Sequence, residues 1–277
     1  MMRIGYFGDE GSFTYLSAVG RFGENNQFLP APTIAGVFDK VRRDEVDWGV
    51  IPFENSTRGM IYDTVDELVS EDFSSSGILI YEELATKITL SLLSRVSLPQ
   101  IRKVYSHHSP LMNCRQWLRK NLPRAEAIPV ENTSEAARRA ATEESSSAIA
   151  SGEVAKIHNL RVVIPNINSG TENITTFFVI GKKPHPPTGR DKTSIAFSLE
   201  HKSGALYRAL GVFARAGANL TRIMSRPLEK KRGEYIFFVE LEGHQFEEKT
   251  GKLLQRLRKY VTSMNIISSY PIAKEGS

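Results

Sequence analysis

A proline-rich break, Lys182-Lys183-Pro184-His185-Pro186-Pro187-Thr188-Gly189-Arg190, does most to limit what this chain can fold into. Its three prolines cannot continue the apolar strand Phe177 to Ile180 that leads into them, because proline fixes φ and offers no N–H to a sheet. The segment reads as a linker at 184–191, separating an N-terminal unit over 1–183 from a C-terminal unit over 192–277. The length of 277 residues agrees, since roughly 150 residues per domain predicts two.

Upstream of the break, β-rich runs alternate with helix-like runs, which predicts an α/β fold with a largely parallel sheet. Expected strands are Arg3 to Phe7, Trp48 to Pro52, Thr86 to Leu93, Lys103 to Ser106, Glu126 to Pro129, Ser147 to Ala150 and Thr176 to Ile180. Downstream, strands at Thr193 to Leu199, Asn219 to Ser225, Glu234 to Leu241 and Asn265 to Tyr270 enclose helices at Gly204 to Ala216 and Lys249 to Val261. This β-α-β-β-α-β order predicts a ferredoxin-like α+β unit. The basic cluster Glu229-Lys230-Lys231-Arg232-Gly233-Glu234 reads as a solvated turn between two of its strands.

Several function classes drop out. The 36 basic and 31 acidic residues leave a net charge of +5, dispersed among acids with no basic stripe of interleaved aromatics, so nucleic acid is not expected as a partner. No apolar run approaches the roughly 20 residues of a membrane span, and the strand-like N-terminus lacks a signal-peptide core. A cytoplasmic location without membrane association is expected. Cys114 is the only cysteine, which rules out an intrachain disulfide and a cysteine-based zinc site. The dinucleotide glycine fingerprint, the phosphate-binding loop and the Gly-x-Ser-x-Gly elbow are absent, and no cofactor is expected.

Ligands in open α/β sheets sit beyond the carboxyl ends of strands, so the segments there carry the functional signal. They are Gly8-Asp9-Glu10-Gly11-Ser12-Phe13-Thr14, in which Ser12 or Thr14 also suits a helix N-cap, and Glu54-Asn55-Ser56-Thr57-Arg58-Gly59. Ser106-His107-His108-Ser109-Pro110 follows the fourth of the expected strands, Ser151-Gly152-Glu153 the sixth, and Asn166 to Asn173 with Thr175-Thr176 precedes the seventh. Adjacent histidines seldom converge on one ion, so no metal site is expected at His107-His108. Neutral hydroxyls and amides with few carboxylates suit an anionic small molecule. Residue chemistry stops at an anion-binding α/β protein, with enzyme and binding protein equally open.

Taken together, these segments resemble prephenate dehydratase over nearly the whole chain. Gly8 to Thr14 is similar to the family's Gly-Pro-Glu-Gly-Thr-Phe opening, and Ile51-Pro52-Phe53-Glu54-Asn55-Ser56 to its Val-Pro-Ile-Glu-Asn-Ser. Ser106-His107 begins the equivalent of Ser-His-Pro-Gln, Ala148 to Ser151 also fits, and Asn173-Ile174-Thr175-Thr176-Phe177 stands for Asn-x-Thr-Arg-Phe. The last third resembles the ACT domain that senses phenylalanine, through Gly204-Ala205-Leu206, Gly217-Ala218-Asn219-Leu220 and Met224-Ser225-Arg226-Pro227.

The resemblance implies a two-lobed catalytic domain similar to bilobal solute-binding folds. Lobe one would span about 1–81 and 163–183 and lobe two about 82–162, with crossings near Glu82 and Val163. It implies decarboxylating dehydration of prephenate to phenylpyruvate, with Thr175 as catalytic hydrogen-bond donor. Gly11, Ser12, Asn55, Ser56, Thr57, Arg58, Ser106, His107, Thr176 and Phe177 would bind substrate. L-Phenylalanine would bind allosterically at Gly204, Ala205, Leu206, Asn219, Leu220, Ser225 and Arg226 from paired chains of a homodimer or homotetramer.

The departures are Asp9, Ser12, His108-Ser109-Pro110, Met224 for a glutamate and, chiefly, Thr176 for an arginine. Arg58 is a candidate to restore the missing positive charge. The missing arginine also motivates three alternatives: a prephenate decarboxylase, an arogenate dehydratase relative, and an amino-acid sensor without catalysis.

Overall fold

The computed structural model describes residues 1–168, 173–227 and 235–273. The solvated turn expected at Glu229 to Glu234 lies outside the described residues. In chain order the first segment runs β1 (Arg3–Phe7), α1 (Phe13–Phe22), β2 (Gln27–Ala31), α2 (Ile34–Arg42), β3 (Trp48–Asn55), β4 (Gly59–Met60), α3 (Tyr62–Val69), α4 (Glu71–Ser76) and β5 (Leu79–Lys87). The second runs β6 (Ser91–Ser94), β7 (Lys103–Ser106), α5 (His108–Asn113), α6 (Arg115–Asn121), β8 (Glu126–Pro129), α7 (Thr133–Thr142), β9 (Ser146–Ala150), α8 (Val154–Ile157) and β10 (Arg161–Ile164). Then follow β11 (Ile174–Gly181), β12 (Asp191–Ser198), α9 (Ala205–Arg215), β13 (Leu220–Pro227), β14 (Tyr235–Glu242), α10 (Glu248–Leu257) and β15 (Ser263–Pro271).

These strands form three sheets. The first is ordered β2-β1-β3-β11-β5 with β4 folded back on β3, the second β10-β6-β9-β7-β8, and the third β13-β14-β12-β15. Parallel pairing joins β1 to β2 and β3, and β7 to β8 and β9, while β11 and β6 run antiparallel to their neighbours. Each parallel strand therefore ends at the edge where β11 begins or where β6 begins, and the loops at those edges meet.

The strand expected from Thr86 to Leu93 is two strands in different sheets. The chain crosses between Lys87 and Ser91, a few residues after Glu82, and Glu82 itself pairs within β11 and β5 of the first sheet. Unbroken strand-like alternation of polar and apolar residues hid the crossing, because Ile88 and Leu90 are buried in the core of the second sheet while lying outside either strand. Their backbone is held instead by the return segment. Asn168 donates to the Ile88 carbonyl at 2.9 Å and accepts the Leu90 N–H at 2.9 Å.

The third sheet carries α9 and α10 on one face, through Ile195, Phe197, Val212, Phe213, Val239 and Leu253. Its other face closes directly on the first sheet. Ala196, Phe238, Ile267 and Tyr270 share one core with Phe53, Phe178, Ile80 and Phe73, with Phe53 stacked 4.1 Å from Phe178 by ring centroids. Each of these aromatic rings removes roughly 150–250 Å² from water, so the proline-rich segment joins units that share a hydrophobic interior. Polar contacts finish the seam. Ser268 donates to the Ile80 carbonyl at 2.6 Å, and the buried Lys192 reaches both carboxylate oxygens of buried Glu83 at 2.8 and 2.9 Å.

Candidate active site

The loop after β1 forms because two glycines take backbone conformations that a side chain would strain. Gly8 has φ +92° and Gly11 φ +82°. Gly11 also allows the loop after β1 to contact α8, since a Cβ there would come within 2.9 Å of Val154 and Ile157. Ser12 caps α1, accepting the Tyr15 N–H at 3.2 Å, which decides between the two expected caps. Ser134, on α7, closes the same junction by donating to the Glu10 carbonyl at 3.1 Å. Ser151, just after β9, is 6% exposed, and its Oγ has no hydrogen-bond partner among the described residues.

Strands β3 and β11 bring the central residues together. Thr175 pairs with Asn55 in register and with Thr86 on its other side, at the edge where the parallel strands end. Asn55 Nδ2 donates to Thr175 Oγ1 at 2.9 Å and to Asn173 Oδ1 at 2.6 Å. Its Oδ1 accepts from Thr57 N at 3.1 Å, Thr57 Oγ1 at 2.7 Å and Arg58 N at 3.1 Å. One amide therefore orders both the hairpin tip and the threonine. Ser56 accepts the Ile174 N–H at 3.0 Å, tying that tip to β11.

Thr175 is 8% exposed and only accepts in this arrangement; its hydroxyl hydrogen has no acceptor among the described residues. A hydroxyl that accepts from an amide is polarised and donates more strongly through its own O–H. The threonine is thus set up as a donor.

Arg58, at the hairpin tip, reaches from the first sheet to the second, where its guanidinium donates to the Ser109 carbonyl on α5 at 2.9 Å. His107 caps α5, with Nδ1 accepting the Ser109 N–H at 3.3 Å. Partial burial of its ring, then the charges of His108 and Arg58, holds the His107 pKa below the ordinary imidazole value. The imidazole is neutral at neutral pH.

Three expected substrate-binding residues lie elsewhere. Ser106 is fully buried and donates to the Ile149 carbonyl at 2.6 Å, so its hydroxyl pins β7 to β9 and does not face the junction. Phe177 is a core residue packed with Ile4, Tyr6, Ala18, Val50 and Val179. Thr176 pairs with Glu54 and occupies the face of β11 opposite Thr175, because successive side chains on a strand alternate. A basic side chain at 176 would stand beside Glu54, away from Thr175. The sequence reading did not single out Asn173, buried at 4% and bonded to Asn55, nor Ser151; their motif segments were legible, their individual roles were not.

In the C-terminal unit, Gly204 holds φ +77° at the start of α9, a position suited to glycine. A pocket of about 140 Å³ opens there, lined by Leu199, Ala205, Leu206, Tyr235 and Phe237 with Glu200, His201 and Lys202. Ser225 and Arg226 pair with Phe237 and Ile236 at this end of the sheet. Asn219 and Leu220 lie at the other end, where Leu220 pairs with Leu241 and Asn219 donates to Glu242 at 2.9 Å. Arg226 is bound to Asp66 of α3 and lies 4.9 Å over the Tyr62 ring.

Comparison with known proteins adds the family. The Prephenate dehydratase model matches residues 4–185 and the ACT domain model residues 193–260. A bifunctional chorismate mutase/prephenate dehydratase of Aquifex aeolicus is 40% identical over 273 residues, 98% of this chain and 74% of that protein. A prephenate dehydratase of Amycolatopsis methanolica is 31% identical, over 98% of this chain and 88% of its own. Among solved structures, prephenate dehydratase from Arthrobacter aurescens in complex with L-Phe superposes with a TM-score of 0.88 at 26% identity, covering 97% of this chain and 90% of that one.

Proposed function

The chain belongs to the prephenate dehydratase family, and we propose that it converts prephenate to phenylpyruvate, with Thr175 assisting departure of the ring hydroxyl and L-phenylalanine as its effector. Prephenate is a dianion. Breaking the bond to its ring carboxylate releases carbon dioxide, and the electron pair moves into the ring as the C–O bond to the hydroxyl breaks. The leaving hydroxide takes up a proton to become water, and the ring becomes aromatic.

Aromatisation drives this reaction, so the protein has to orient the dianion and stabilise charge on the departing oxygen. The observation that carries the reading is the hydrogen bond from Asn55 to Thr175, which directs the threonine lone pair to the amide and leaves its O–H to donate. A threonine hydroxyl is too weak an acid to give up its proton outright, so a preorganised hydrogen bond to the leaving oxygen is the role that fits. Arg58, His107, the Gly8 to Ser12 loop and Ser151, on the loops of the two sheets joined by Arg58 to Ser109 and by Ser134 to Glu10, are our candidates to supply donors for the carboxylates. Phenylalanine binds between two copies of the chain, its ring against Leu206 and its charged groups at the start of α9 and at Asn219.

Purified protein with prephenate and no added cofactor tests this. Phenylpyruvate, read by its absorbance in alkali, and carbon dioxide are expected in equal amounts. Carbon dioxide without phenylpyruvate would identify a decarboxylase. Binding of prephenate without either product would identify a sensor.

A further inference from the structure

We propose that Arg222, in the C-terminal sheet, is a positioning residue for the dehydration, acting through Glu54 to fix the end of β3 that carries Asn55. The inference rests on the reading of Thr175 as the donor that Asn55 orients.

Two irregularities aim the side chains at one another. In β13 the register shifts between Leu220 and Arg222. Leu220 packs with the helices of its own unit, and two residues on Arg222 would face the same way in a regular strand. The shift turns Arg222 to the opposite face, alongside Glu240, where it meets the first sheet. In β3 the register against β11 shifts beside Phe53, so that Phe53 and Glu54 both face the third sheet while Asn55 returns to the side of Thr175. Bulges break a ladder locally and re-aim side chains. At each of these two, the re-aimed residue finds its partner in the other unit.

The guanidinium is held on several sides. Its Nε donates to Glu54 Oε2 at 2.9 Å, with Nη2 on the same oxygen, and Nη1 bonds Glu240. Glu83 lies 3.7 Å from Nη1, and the guanidinium stands 5.1 Å over the Phe53 ring. Glu240 is fully buried and receives the Tyr270 hydroxyl at 2.5 Å, so the far end of this chain of contacts is anchored in the core. Among the described residues Glu54 has no such anchor of its own. It sits where the ladder is disrupted, one peptide before Asn55, and Arg222 sets its direction.

The other polar contacts across the seam do not reach the site strands' end. Arg226 to Asp66 ties β13 to α3, and Asn265 to Ser74 ties β15 to α4. They hold the units together without touching Asn55, which makes Asp66→Asn the control for docking alone.

The test compares Arg222→Gln, Arg222→Lys, Glu54→Gln, the Arg222→Gln/Glu54→Gln pair and Asp66→Asn in the full chain, by thermal unfolding and by kcat and KM for prephenate. Arg222→Gln is expected to lower kcat about 10- to 100-fold, the penalty of a small misplacement at a reacting group, with KM little changed. Arg222→Lys should recover part of the loss. The paired variant should be no slower than the slower single one, because both changes cut the same link. Asp66→Asn should keep kcat.

If Arg222→Gln does not fold, Arg222→Lys, which keeps the charge but loses the two-pronged grip, carries the same comparison with Glu54→Gln. Unchanged kcat in a folded Arg222 variant, additive losses in the pair, or an equal kcat loss in Asp66→Asn would each overturn the positioning role. A parent protein without turnover would instead overturn the functional reading itself.

Discussion

Asn55 and Thr175 lie 120 residues apart in sequence and are joined side chain to side chain, the amide of Asn55 donating to the threonine hydroxyl at 2.9 Å. The direction of that bond matters more than its existence. Because the amide nitrogen can only donate, Thr175 must accept there, and its own hydrogen is left for the leaving oxygen.

Reversing the bond should therefore slow the chemistry sharply, with the bond from residue 55 to Asn173 Oδ1 lost as well. Asn55→Asp puts a carboxylate in place of the amide, which accepts the Thr175 hydrogen and removes it from the substrate. We expect kcat to fall about 100- to 1000-fold, the usual loss for one preorganised donor. Thr175→Val should lose a similar factor, while calorimetry shows prephenate still bound; Thr175→Ser should keep most of the rate. Full activity in Thr175→Val would falsify the donor role.

Arg58 is expected to act on binding. Its guanidinium bridges the two sheets through the Ser109 carbonyl and adds positive charge beside His107. Arg58→Ala should raise KM about tenfold, the equivalent of one charge-assisted hydrogen bond of about 1.5 kcal/mol, and leave kcat nearly unchanged. The His107 pKa should rise in the same variant, because one cause of its depression is removed, and ring NMR signals followed through a pH titration would show it. Thr176→Arg should not rescue KM, since position 176 lies on the opposite face of β11.

The elements legible in the sequence were those whose local pattern decides them. β1, β7 and β8 fall where alternation and flanking turns put them, and the C-terminal order follows from apolar periodicity. β2 was missed because Pro30 argues against a strand; it survives as an edge strand, where a missing N–H breaks no central ladder. β10 is likewise an edge strand, four residues long, without a buried face to announce it.

At the site, the motif segments were legible and the assignments within them only partly so. Ser106 and Phe177 sit inside motif segments yet serve the core, since a strand sends alternate residues to opposite faces and sequence proximity ignores that. Arg222 could not be found from sequence at all. Its neighbours in the chain are unremarkable for an exposed edge strand, and its partner Glu54 is 168 residues away.

Cys114 should report on the core of the second sheet. It is fully buried, and burial pushes its thiol up to about 12. Since the thiolate is the reactive form, a thiol reagent at pH 8 should leave the folded protein unlabelled and react at the rate at which this region opens. Labelling that matches a free thiol in the absence of denaturant would show that the second sheet opens far more readily than its packing implies.

Phenylalanine binding should require two chains, and the geometry of one sheet says why. The pocket at Leu206 lies against Tyr235 and Phe237, whereas Asn219 stands at the opposite end of β14, near Leu241. At about 3.3 Å per residue the two ends are roughly 17 Å apart, too far for one amino acid to touch both in a single chain. A neighbouring copy turned end for end would bring its Asn219 to this chain's Leu206. Leu206→Glu and Asn219→Ala proteins should each fail to bind phenylalanine by calorimetry. Refolded together, they should form mixed pairs in which one site joins the damaged residues and the other joins both intact ones. Partial recovery of binding in the mixture, with none in either parent, is the expected outcome. If the mixture binds no more than its components, the effector site does not join Leu206 of one chain to Asn219 of the other; if Asn219→Ala alone binds like the unaltered protein, the pocket at Leu206 holds phenylalanine without Asn219.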